Sequence, residues 1–170
     1  MDKTIFDTLV VNRVLDEMAT QIASDEVYII GIQRGGSEVA DALEHRLKKT
    51  SATIHRGDLD ISFYRDDLDT IGPNPEVRRS ELPFDLADKD IYLVDDVLYT
   101  GRTIRAAMGE IFDYGRPASV RLVVLVDRGG HELPISADIT GLCHNAEIGQ
   151  SVKLNNDPKG WTIELRQVKR

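Results

Sequence analysis

Apolar residues recur at helical spacing near the start of the chain. Val11, Val14, Leu15, Met18 and Ile22 fall on one face, and Asp7 stands where a helix N-cap belongs. The pattern predicts an amphipathic helix over about residues 8–23, ended by Ser24-Asp25-Glu26, with Met1-Asp2-Lys3-Thr4 leading straight into it. Val27–Ile32 is a short apolar run between turn residues, as expected of a strand buried on both faces. Gln33-Arg34-Gly35-Gly36 forms a loop, and Ser37 is placed to cap a second helix carrying Val39, Ala40, Leu43 and Leu47. Leu59, Ile61 and Phe63 alternate with Asp58, Asp60 and Ser62, which predicts a strand with one polar face.

From Arg65 to Asp85 the periodicity stops. The stretch holds Pro73, Pro75, Pro83 and the pair Arg78-Arg79. Long irregular segments in compact domains are often lids over functional sites, and a surface excursion is the alternative. Periodicity returns with a buried strand at Ile91–Val94, a helix at Thr103–Tyr114 closed by Gly115 and Pro117, and a central strand at Val120–Val126. Ile139, Val152–Leu154 and Thr162–Val168 are expected as short strands at the sheet margin. Strands alternating with helices predict an α/β fold, a mostly parallel twisted sheet with helices on both faces.

The 170 residues suit one domain. A hydrophobic fraction of 41% with 29% charged residues is that of an ordinary globular chain. No apolar run spans a bilayer and no signal-peptide core opens the sequence, so the expected location is the cytoplasm. Cys143 is the only cysteine, which excludes an internal disulfide and fits a reducing compartment. Despite its neighbour His144, Cys143 is expected to be an inert structural thiol. The net charge of −8 opposes non-specific nucleic-acid binding, which relies on Lys and Arg neutralising phosphates.

Ligands of open parallel sheets bind beyond the carboxyl ends of the strands. Gln33-Arg34-Gly35, Asp95-Asp96 and Asp127-Arg128-Gly129 each follow a predicted strand, so they outline one site. The richest segment is Ile91-Tyr92-Leu93-Val94-Asp95-Asp96-Val97-Leu98-Tyr99-Thr100-Gly101-Arg102-Thr103. Ionised carboxylates only accept hydrogen bonds, which suits a ribose diol. The Thr-Gly turn at a helix start offers N–H groups, hydroxyls and positive potential to a phosphate. A sugar 5-phosphate therefore fits. There is no Gly-Lys-Ser/Thr ending of a P-loop and no G-x-G-x-x-G. A solvated strand end, or a metal-binding acidic pair as in receiver domains, is the alternative for Asp95-Asp96 alone.

This segment resembles the 5-phosphoribosyl-1-pyrophosphate (PRPP) signature of type I phosphoribosyltransferases, and Val94–Thr103 most resembles the PyrR family. Asp60–Leu68, Asp113-Tyr114-Gly115-Arg116-Pro117, Leu125–Gly129, His131–Ile135 and Ala137-Asp138 extend the resemblance. It implies one phosphoribosyltransferase domain over 1–170, with a flexible loop at about 66–85 and a small C-terminal hood at about 128–170. It also implies a uracil phosphoribosyltransferase that converts uracil and PRPP to UMP and pyrophosphate with Mg2+. Asp95, Asp96 and Arg34 would be the catalytic residues. Asp95 and Asp96 would hold the ribose diol and, through PRPP and water, the metal. Val97, Leu98, Tyr99, Thr100, Gly101, Arg102 and Thr103 would surround the 5-phosphate. Gln33, Arg34 and Gly35 would form the pyrophosphate loop, in which the family usually carries Thr where this chain has Gln33. Arg65 and Arg79 would close over PRPP, and Arg128 and Val152 would cover the base.

The resemblance further implies a homo-oligomer, dimer or tetramer, and, in some members, an RNA leader bound to regulate pyrimidine genes. Asp16, Glu17 and Thr20 lie where RNA-binding members carry basic or hydrogen-bonding residues, and Thr140–Glu147 replaces a more basic stretch. Carboxylates repel RNA phosphates, so the expectation is an enzyme first. An RNA-binding regulator with weak activity and a transferase for a purine base stay open, because the signature reads PRPP and not the base.

Overall fold

The computed structural model describes residues 3–51, 53–61 and 80–168. In chain order the elements are β1 (Lys3–Phe6), α1 (Thr8–Ile22), β2 (Glu26–Ile32), α2 (Gly35–Leu47), β3 (Thr53–Leu59), β4 (Asp90–Leu98), α3 (Arg102–Tyr114), β5 (Ser119–Asp127), β6 (Ile139–Cys143), β7 (Gln150–Asp157) and β8 (Gly160–Gln167).

Five strands form one parallel sheet in the order β3-β2-β4-β5-β6. Its central strands are apolar on both faces because helices cover both, as expected. Along β5, Val123 and Leu125 point into a core shared with α1 and α2, whereas Leu122 and Val124 point into a core with α3 and Leu86. Asp7 caps α1 by accepting the Val10 N–H at 3.1 Å, and Val11, Leu15, Met18 and Ile22 bury its apolar stripe. No helix among the described residues is long and apolar enough to cross a membrane.

A second sheet, β1-β8-β7, is antiparallel and joins the two ends of the chain. β7 and β8 form a hairpin closed at Asp157↔Gly160, where Asp157 accepts the Lys159 N–H at 2.7 Å. Ile163 is fully buried in the α1–α2 core, and Thr8 Oγ1 donates to the Trp161 carbonyl at 2.9 Å. This small sheet is the hood, seated against the first turn of α1.

Several expectations from the sequence are corrected. Lys3–Phe6 is a strand and not the approach to α1; four residues are too few to carry a period, and pairing with β8 decides the conformation. Val152–Leu154 and Thr162–Val168 lie in the separate antiparallel sheet; only Ile139–Cys143 extends the parallel one. The strand expected at Leu59–Phe63 is Thr53–Leu59, so Leu59 is its last residue and Ile61 is buried just past it, while Phe63 lies outside the described residues. Polar residues hid this strand. It is the last strand of the parallel sheet, paired with β2 on one side and bridged on the other at Asp58↔Glu81, and Arg56 within it is satisfied by Asp41 and Asp58 at 2.9 and 2.8 Å. Ser37 does not cap α2, which begins at Gly35; its hydroxyl donates instead to the Asp58 carboxylate. Cys143 is exposed at the end of β6, an exposure the sequence pattern did not indicate.

Candidate functional site

The carboxyl ends of β2, β4 and β5 bring the three polar clusters together. β4 runs further than its apolar core suggests. It pairs with β2 only as far as Gly31↔Val94 but with β5 as far as Leu98↔Asp127, so Asp95 and Asp96 belong to the strand itself. The turn after β2 abuts this overhang. The Gln33 N–H donates to the Leu59 carbonyl at 2.8 Å, the Gln33–Arg34 peptide is cis, and α2 starts directly at Gly35. A Cβ on Gly35 would collide with the Asp96 carboxylate. One on Gly36 would lie 2.9 Å from Asp95 Cα and collide with the Val94 carbonyl. Two glycines here are what let the loop at 33–35 touch the acidic pair.

Both carboxylates are anchored by the backbone. Asp95 is 5% exposed and its Oδ1 accepts the Asp96 N–H at 2.9 Å. Asp96 Oδ1 accepts the Val97 N–H at 3.0 Å, and Oδ2 lies toward Gly35. Such bonds fix the orientation of the side chains at the strand end.

Beyond Leu98 the chain turns through Tyr99, Thr100 and Gly101 into α3. Gly101 has φ 92°, a left-handed conformation that glycine adopts without steric cost. Thr100 Oγ1 accepts the Arg102 N–H at 3.2 Å, and the Thr100 carbonyl accepts the N–H groups of Glu132 and Leu133 at 3.0 and 3.1 Å. The Arg102 guanidinium bonds Glu132 Oε2 at 3.0 Å, so the turn is held from outside. Arg105 makes the first helical bond, to the Gly101 carbonyl at 2.9 Å. The N–H groups of Thr103 and Ile104 therefore lack intrahelical partners, and the positive end of the α3 dipole faces the turn.

The third cluster is tied to the same turn. The Arg128 N–H donates to the Leu98 carbonyl at 3.1 Å. Arg128 is 8% exposed, its guanidinium lies 3.8 Å from the centre of the Tyr99 ring, and its Nε has no hydrogen-bond partner among the described residues. Asp127 Oδ1 accepts the Gly129 N–H at 2.9 Å and contacts His131 Nε2 at 2.8 Å. The segment after β6 closes this side, with the Ala146 N–H on the Arg128 carbonyl at 3.2 Å.

Gln33, Arg34, Gly35, Asp95 through Thr103 and Arg128 are thus brought to one sheet edge. Val152 comes from the hood sheet. It sits in β7, half-buried against the α1–α2 core, and the described contacts to Arg128 come from Leu98, Tyr99 and Ala146. Arg65, Arg79 and the segment from Pro73 to Arg78 lie outside the described residues. Sequence reasoning did not single out His131 or Asn145. Both lie in loops without periodicity, and only the fold places His131 on Asp127 and Asn145 against Gly129.

Among the described residues no group of three or more His, Cys, Asp and Glu side chains could by itself hold a metal ion. The donors present are the oxygens of Asp95 and Asp96, a set that suits a hard cation such as Mg2+ bound chiefly through substrate oxygens and water.

Comparison with known proteins agrees with this geometry. The phosphoribosyl transferase domain family matches residues 3–157. The chain is 51% identical over 137 residues to the bifunctional protein PyrR of Nitrosococcus oceani, covering 80% of this chain and 77% of that protein. It is 46% identical over 154 residues to the bifunctional protein PyrR of Pseudomonas fluorescens, covering 91% and 89%. Among solved structures, the hypoxanthine phosphoribosyltransferase of Trypanosoma cruzi superposes with a TM-score of 0.66 at 21% identity, covering 85% of this chain and 82% of that one, which speaks to the fold alone. The chain therefore belongs to the phosphoribosyltransferase family, within its PyrR group.

Proposed function

We propose that the protein is a uracil phosphoribosyltransferase that joins uracil to PRPP, giving UMP and pyrophosphate. The observation that carries this reading is the contact of three parts at one strand end: the glycine-lined loop after β2, the anchored Asp95-Asp96 pair, and the open N-terminus of α3. In this reading Asp95 and Asp96 accept from the ribose hydroxyls, and Val97 through Thr103 wrap the 5-phosphate. Gln33, Arg34 and Gly35 face the pyrophosphate, with Arg34 offsetting its charge. Arg65 and Arg79, which lie outside the described residues, are assigned to PRPP, and Arg128 and, from the hood, Val152 are assigned to the base.

The base nitrogen attacks the anomeric carbon as pyrophosphate leaves. The side chains orient two substrates and stabilise separated charge, so the reaction calls for no nucleophilic Ser, Cys or His. Asp95 and Asp96 would help to hold Mg2+ indirectly, and the cation would supply neutralisation of the charge on the leaving pyrophosphate. We place the enzyme in the cytoplasm, as a homo-oligomer, dimer or tetramer. Pyrophosphate release with PRPP, Mg2+ and, in turn, uracil, hypoxanthine, guanine and orotate tests the base. Release with uracil supports the proposal, and release with a purine only overturns it.

A second reading, control of pyrimidine genes through RNA, is favoured by the name bifunctional that the relatives carry. The surface of α1 opposes it. Asp16 is 68% exposed, and the charge nearest to it, Arg46, is engaged with it at 2.6 Å. Titration of a labelled pyrimidine leader RNA at low and moderate salt distinguishes the two. Tight binding whose affinity falls steeply with salt would establish the regulator.

A further inference from the structure

Among the described residues Arg128 is the one buried cation at the strand ends, and its surroundings are unusual. Its residue is 8% exposed, its Nε lacks a hydrogen-bond partner among the described residues, and the face of Tyr99 lies 3.8 Å from its guanidinium. Tyr99 itself is 45% exposed at the mouth of the site. The ring also meets Gly130, which has φ 74°; a Cβ there would approach Tyr99 Cε2 to 2.8 Å. A backbone bond from Arg128 to Leu98, directly before Tyr99, ties the two residues to one register. Buried donors are nearly always paired in native proteins, and guanidinium offers donors only. The group is therefore poised for an acceptor that arrives with a ligand. The phosphates already have the α3 N-terminus and the loop bearing Arg34, which leaves a carbonyl oxygen of the base.

We infer that Tyr99 is a positioning residue: its ring holds the buried Arg128 guanidinium so that Arg128 donates to a carbonyl oxygen of the incoming base. The inference rests on the proposed transferase reading and assigns Tyr99 a task separate from the phosphate turn in which it sits. A ring face attracts a guanidinium, and in a desolvated setting the stack outweighs its surface equivalent.

Steady-state kinetics with uracil and PRPP varied separately test it. Tyr99→Leu removes the ring face and should raise the KM for uracil about 10-fold, clearly more than it raises the KM for PRPP. Tyr99→Phe keeps the face and should restore the KM for uracil. Gly130→Ala presses on the ring at Cε2 and should reproduce the selective rise, which keeps the test sharp if Tyr99→Leu does not fold. Equal rises in both KM values would mean that the ring merely supports the phosphate turn, and unchanged values would mean that it does nothing; either result overturns the inference. A wild-type chain with no uracil turnover would instead remove the parent reading, and this one with it.

Discussion

Gly35 lies directly against the Asp96 carboxylate, so that a methyl group at Gly35 would occupy the place of Asp96 Oδ2. The contact joins the turn after β2 to the overhang of β4, and it is the tightest geometric constraint in the site. Gly35→Ala should displace Asp96 from its bond to the Val97 N–H. Small misplacements of reacting groups are costly, so kcat/KM for PRPP should fall on the order of 100-fold. Added volume in a packed site destabilises by about 1–3 kcal/mol, which thermal unfolding would register alongside. A variant with unaltered PRPP kinetics would show that the contact is not used.

A glycine remote from the site provides the contrast. A Cβ on Gly141 of β6 would lie 2.6 Å from Val14 Cγ1, 2.7 Å from the Leu125 carbonyl and 2.8 Å from Met18 Sδ. Gly141→Ala should therefore push α1 from the sheet edge and cost about 1–3 kcal/mol in urea unfolding. Its KM for PRPP should stay unchanged, because none of these atoms borders the strand ends of β2 and β4.

At the opposite end of the sheet, Glu26 anchors a small polar cluster. Its carboxyl is held below the usual value of 4.5, first by the Tyr28 hydroxyl and then by His55. A group whose value is lowered on folding favours the fold above its unfolded value, and this contribution disappears as pH falls through the folded value. The gap in urea midpoint between wild type and Glu26→Gln should be constant near neutrality and narrow below about pH 4.5, the unfolded value from which the linkage starts. A gap independent of pH would show that the cluster does not couple to folding.

Much of this was legible in the sequence because the signals are local. Val27–Ile32, Ile91–Val94 and Val120–Val126 are apolar since they are buried on both faces, and the site residues follow them directly. The misread parts depend on partners distant in sequence. Lys3–Phe6 becomes a strand only because β8 returns beside it. Thr53–Leu59 looks polar because its Arg56 is neutralised by Asp41 on α2. Ser37 resembled a cap, but the loop before α2 closes on glycine and Asp58 takes its hydroxyl. Tyr99 carried no marker of its contact with Arg128, since a stack between strand ends has no sequence period.

The central claim is that Asp96 serves PRPP chemistry on uracil. Its most direct test is pyrophosphate release from PRPP and uracil with Mg2+, for wild type and Asp96→Asn side by side. Asn keeps the shape but removes the charge, and loss of such electrostatic stabilisation costs on the order of 100-fold or more in turnover. The account predicts robust uracil-dependent release by wild type and a fall of that size in Asp96→Asn. Equal rates for the two proteins, or release that never depends on uracil, would contradict it.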